Sequence, residues 1–148
     1  MKDILFRGKR VDNDEWVFGV PAKDEHGEMV VIESIFDFDE YDCRGAKCLY
    51  VEESTVGQYT GLTDKNGKKI FEGDIINVIT LDTEAEQRAV VCFGNFIDEN
   101  NGDEYIGFFI DFDGIKTTAA QLAMEECKNR IEVIGNIHDN PELLEVEE

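Results

Sequence analysis

Positive charge is what this chain most conspicuously lacks. It holds 14 Lys and Arg against 34 Asp and Glu, a formal net charge of −20 over 148 residues. Non-specific nucleic-acid binding draws on phosphate neutralisation by Lys and Arg, so direct binding of nucleic acid is not expected. Anionic membrane surfaces are disfavoured for the same reason. Apolar runs are short; none approaches the roughly 18 residues needed to cross a bilayer as a helix. Histidine is sparse, with only His26 and His138. The four cysteines, Cys43, Cys48, Cys92 and Cys127, form no Cys-x-x-Cys pair. Neither a zinc site nor a disulfide framework is therefore expected. No secretory leader is evident, and a cytoplasmic location is expected.

What is present is enough for a core. Apolar residues make up 42% of the chain, an ordinary globular value, and a chain of this length buries roughly 70% of its unfolded surface. A single domain is expected over 1–148: an N-terminal hairpin region at 1–33, a variable acidic segment at 34–55, a core at 56–138 and a terminal segment at 139–148.

The local signals are mostly those of strands. Ile4–Arg10 and Trp16–Val20 flank the turn residues Val11-Asp12-Asn13-Asp14 and read as a hairpin. Pro21 through Glu28 reads as a polar loop, and Met29–Ile32 as a third strand. Between Ser34 and Glu53 acidic and aromatic residues interleave; irregular structure is expected there, with a strand near Cys48–Val51. Asn66-Gly67 supplies the positive φ angles of a tight hairpin turn. Gly73-Asp74 is a second turn entering the aliphatic strand Ile75–Ile79. Ala89–Phe96 and Tyr105–Phe112 read as antiparallel partners around an acidic turn, with Phe108, Ile110 and Phe112 on one face. Thr118–Arg130 reads as a helix, with a Thr118/Gln121 capping box, an apolar stripe of Ala120, Ala123, Met124 and Cys127, and a Glu126–Arg130 pair. Ile131–Ile137 is a last strand interrupted by Gly135. Asn140 as cap and Pro141 at the first position open a short terminal helix. The expected fold is mainly β (β-rich α+β). It is a small bent antiparallel barrel, for which an SH3-like form is one option, with the N-terminal hairpin packed on it and the helix at 118–130 covering an open end.

Three segments carry a family resemblance. They are Arg7-Gly8-Lys9-Arg10 with Trp16-Val17-Phe18-Gly19, the run from Val56 through Gly57-Gln58-Tyr59-Thr60-Gly61 to Gly73-Asp74, and Glu132-Val133-Ile134-Gly135-Asn136-Ile137-His138-Asp139-Asn140-Pro141-Glu142-Leu143-Leu144. In order and wording they resemble the YopX-like proteins of phages and prophages. The resemblance implies a phage-associated, β-rich, oligomeric protein of the host-cell cytoplasm with no assigned activity. It supplies no catalytic motif.

Chemistry-bearing clusters are thin. His138 beside Asp139 has no nucleophile placed near it. Asp37, Asp39 and Asp42, and Asp98, Glu99, Asp103 and Glu104, lack the glycine and final glutamate of an EF-hand. Asp111 and Asp113 flank Phe112 in a spacing that metal-dependent nucleases use and that solvated strand faces also show. No cofactor and no metal are expected, and no enzyme. The expected role is a self-associating protein-binding module whose partners are itself and a phage or host protein. The candidate interaction surface is Tyr59 with the basic cluster Lys65, Lys68 and Lys69 at a hairpin tip. Two alternatives stand beside it. One is a metal-dependent hydrolase using the clustered carboxylates. The other is an acidic mimic of DNA that occupies a host nucleic-acid-binding protein.

Overall fold

A computed structural model describes residues 4–38, 43–80, 83–120 and 129–145. The chain forms two compact units, Met1–Tyr59 and Thr60–Glu148.

The first unit is an antiparallel sheet. Its strands are β1 (Phe6–Lys9), β2 (Trp16–Lys23), β3 (Met29–Phe38), β4 (Cys43–Tyr50) and the start of β5 (Gly57–Thr63), in the order β4-β3-β2-β1-β5. The expected N-terminal hairpin is present, with Arg7 opposite Phe18 and Lys9 opposite Trp16. β2 extends further than its sequence suggests, through Pro21 to Lys23. Val17, Val31 and Val51 are buried together, with Met29, Leu49 and Val56 against them. Gly19 has a steric reason: a Cβ there would lie 2.0 Å from the Ile32 carbonyl oxygen. The β2–β3 turn is held by Asp24, whose Oδ1 accepts the backbone N–H of His26 and of Glu28, both at 2.9 Å. This is the local bonding that makes Asp a turn residue.

The segment expected to be irregular is instead a long hairpin of β3 and β4, paired from Val30–Tyr50 out to Phe38–Cys43 with one register shift between Ile32 and Ser34. Alternation of aromatic and acidic residues is itself a two-residue strand period. Its charge density disguises it as loop.

The second unit is built from the rest of β5, β6 (Lys69–Phe71), β7 (Asp74–Ile79), β8 (Glu86–Ile97), β9 (Glu104–Phe112), β10 (Ile115–Thr118) and β11 (Ile131–Asn136). Five of these form an antiparallel sheet in the order β10-β9-β8-β7-β11. Its core is Ile70, Ile76, Ala89, Val91, Ile110, Ala119 and Ile131. Each fully buried isoleucine contributes about 2 kcal/mol as an upper bound. The Asn66-Gly67 turn forms as expected, with Gly67 at φ +79°. At the Gly73-Asp74 turn the buried Asp74 carboxylate accepts the Phe71 N–H at 2.7 Å, and Gly73 has φ +91°.

The mainly-β expectation is met; the closed barrel is not. Among the described residues β10 and β11 are the two edges of an open sheet. Closure requires the edge strands to meet, and here each pairs only on its inner side, β10 with β9 and β11 with β7. The interruption expected at Gly135 appears as a register shift between Val133 and Gly135. Thr118, expected as a helix cap, ends β10, a strand hidden in the sequence by its brevity. The expected helix and its apolar stripe fall largely on 121–128, outside the described residues. No helix among the described residues is long and apolar enough to cross a membrane.

Candidate functional site

Three surface features of the second unit, taken one at a time, are candidates. The first is the Lys65/Lys68/Lys69 hairpin tip, where all three lysines are exposed. A single buried carboxylate fixes it. Asp64 is 3% exposed; its Oδ1 accepts the N–H of Asn66 and of Lys68 at 2.9 Å and its Oδ2 accepts that of Val133 at 3.0 Å. Burial raises its pKa, but the N–H groups of Val133, Lys68 and Asn66 more than offset this and hold it below the ordinary Asp value. Lys65 Nζ lies 3.4 Å from the Glu132 carboxylate. Tyr59, expected as an anchor beside these lysines, belongs to the first unit and is only 7% exposed.

The second feature is the β8–β9 hairpin. Its strands stay in one register from Val90–Asp111 to Ile97–Glu104, so alternate residues hold the same face throughout. Near the core, the face of Ala89, Val91 and Ile110 is buried. Beyond Gly94 and Gly107, which lie opposite each other at φ +151° and +155°, the buried face changes. There Phe96 is buried on the other side, stacked on Phe109 with ring centroids 4.8 Å apart. Lys116 Nζ sits 5.7 Å from the Phe109 ring centroid, and Asp98 Oδ2 accepts the Thr118 N–H. The former core face therefore runs on into solvent. Phe93, Ile97 and Ile106 are 51%, 58% and 78% exposed. Sequence pattern places these residues on a strand. It gives no sign of the exchange of faces.

The third feature is a groove of about 520 Å³ at the other end of β8 and β9. Glu86, Asp111, Asp113 and Glu145 line it, together with Arg88 and Leu143. Arg88 Nη1 donates to the Leu143 carbonyl oxygen at 2.8 Å. Asp111 Oδ1 accepts the Gly114 N–H at 2.6 Å, and Asp113 occupies the left-handed region at φ +52°. Both aspartates line the groove, but Asp113 lies in the turn after β9 and Asp111 is engaged in closing that turn.

The other chemical candidates are dispersed. No group of three or more His, Cys, Asp or Glu side chains converges with metal-ligand geometry among the described residues. His138 is half-buried next to a network centred on Asn136. Asn136 Oδ1 accepts the N–H of His138 at 3.0 Å and of Asp139 at 2.9 Å, and its Nδ2 donates to Asp139 Oδ2 at 3.1 Å. Asn140 was expected to cap the 3-10 turn Pro141–Leu144; it makes no such bond. Its Oδ1 instead accepts the Asn136 N–H and lies where a Cβ on Gly135 would come within 2.6 Å. Cys92, expected as an ordinary buried residue, is half-buried, and the desolvation it does meet pushes its thiol up to about 11. Cys48 is exposed.

A family model described as YopX protein matches residues 5–145. The crystal structure of protein EF1440 from Enterococcus faecalis is similar in fold, with a TM-score of 0.58 and 24% sequence identity, covering 98% of this chain and 100% of that one. No curated protein matches this sequence.

Proposed function

This chain belongs to the YopX protein family, and from that premise we propose that it is a phage- or prophage-encoded accessory protein of the host-cell cytoplasm, a non-catalytic module that self-associates and binds protein. The observation that carries this reading is the exposed strip of Phe93, Ile97 and Ile106, between 51% and 78% exposed. The strip stands on two hydrogen-bonded strands, so its residues are presented with little backbone freedom left to lose. On a chain of net charge −20, copies repel one another at long range. An apolar contact works at short range and does not depend on charge. Burial of these three side chains against a partner removes water from surface worth about 25 cal/mol per Å².

Light scattering at micromolar concentration tests the reading. The wild type is expected to be oligomeric. Ile97→Asp with Ile106→Asp is expected to lower the assembly's mass while leaving the β-type circular dichroism unchanged, because neither side chain is in the core. A wild type that stays monomeric, or a variant whose mass is unchanged, overturns the strip as an interface.

A further inference from the structure

The second unit carries two surfaces of opposite charge. The groove between β8, the β9–β10 turn and the C-terminal 3-10 turn is lined by four carboxylates, Glu86, Asp111, Asp113 and Glu145, against one guanidinium, that of Arg88. Arg88 is tied to the Leu143 carbonyl oxygen, and Val90, Leu143 and Leu144 supply the apolar part of the lining. The hairpin tip of Lys65, Lys68 and Lys69 is exposed and is locked by the three backbone N–H bonds of Asp64. A tip already rigid loses little conformational entropy when it docks. Gly67 at its apex keeps it narrow, and a space of about 520 Å³ is of the size that admits a few side chains, not a whole element.

We propose that the lysine tip of one copy seats in the acidic groove of a second copy. This rests on the reading that the chain self-associates, and it adds the partner surface and the symmetry. Charge complementarity selects the occupant. On a molecule whose surface otherwise repels itself, an opposite-sign contact is where two copies approach at least electrostatic cost. Tip and groove are different patches, so the contact is heterologous. Repeated from copy to copy it closes a ring or runs on as a filament. It leaves the Phe93/Ile97/Ile106 strip, at the far end of the same hairpin, available for a separate contact.

The test is zero-length carbodiimide cross-linking of an equal mixture of ¹⁵N-labelled and unlabelled full-length protein, read by mass spectrometry, beside light scattering. Mixed-isotope cross-links joining Lys65, Lys68 or Lys69 to Glu86, Asp111, Asp113 or Glu145 are expected. Glu86→Lys with Glu145→Lys changes exposed groups only and is expected to weaken this association by about 10- to 100-fold. Lys65→Glu with Lys68→Glu and Lys69→Glu is expected to do the same, and mixing the two variants is expected to restore a paired species. If light scattering shows oligomers while these cross-links are absent or confined to one copy, the tip–groove contact is overturned and self-association survives. If the wild type is monomeric at every concentration, both fall together.

Discussion

The carboxylate of Asp64 accepts the backbone N–H of Val133 at 3.0 Å across 69 positions of sequence. The same side chain closes its own turn through Asn66 and Lys68. One buried group therefore ties the β5–β6 hairpin to β11. Asp64→Ala leaves three N–H groups without their acceptor, and a loss of about 3 kcal/mol in unfolding free energy is expected by urea titration. Asp64→Asn keeps one acceptor oxygen and is expected to lose less.

The pH dependence of that tie follows from its sign. Hydrogen bonds depress the folded-state pKa of Asp64 below the ordinary value despite burial. A group depressed in the fold contributes in full above its unfolded pKa, about 3.9, and its contribution fades as pH falls through the folded value. Amide exchange at Lys68 and Val133 is expected to stay protected at pH 5. Protection is expected to weaken at pH values below the usual aspartate range, and Asp64→Asn should abolish that step.

Gly19 and Gly27 are expected to respond very differently to alanine. At Gly19 the added carbon would sit 2.0 Å from the Ile32 carbonyl oxygen, where only backbone movement relieves it. A loss of about 3 kcal/mol or more is expected. At Gly27 there is open space but φ is +80°, and the cost is conformational, about 1 kcal/mol. Equal losses in the two variants would contradict the close approach of β2 to β3.

The two characterised thiols are expected to separate in alkylation. Cys92 is raised from 9.0 to about 11 by burial, so its thiolate is scarce at pH 8, whereas Cys48 is exposed. Site-resolved iodoacetamide labelling should modify Cys48 first and Cys92 more slowly, with the difference lost on unfolding. Because the folded value lies above the unfolded one, the stability held by the neutral Cys92 thiol is complete below pH 9.0 and is lost as pH rises toward about 11.

Asn136 is expected to be indispensable to the end of the chain. Its side chain accepts two backbone N–H bonds and donates one to Asp139, and it is 9% exposed. Asn136→Ala is expected to cost about 2 kcal/mol and to disorder 137–144, visible as sharpened amide resonances there.

Much of this was legible in the residues because local chemistry decided it. Asn66-Gly67, Gly73-Asp74 and the alternating runs of β7, β8 and β9 each carry their own signal, and the structure follows them. What was hidden depends on distance. Asn140 precedes Pro141 like a cap, yet its oxygen goes to Asn136, because Gly135 leaves room beside it. Asp64 reads as one turn aspartate among many, and only folding brings Val133 to it. β10 is four residues long, too short for a period to show. The acidic segment hides its strands because dense charge masks their alternation. For the surfaces, the lysine tip was visible as composition. The groove was not, since Glu86, Asp111 and Glu145 meet only through pairing and chain return.

Gly94 and Gly107 face each other across β8 and β9, and a carbon added at either would meet nothing within 4 Å. Space is therefore no reason for glycine at this level; backbone torsion is. The pair therefore lets the two strands turn their buried side over without a break in the ladder, and Phe96 on Phe109 with Asp98 on the Thr118 N–H pins the far arm once it has turned. A side chain at either position would strain the torsion on which that roll depends.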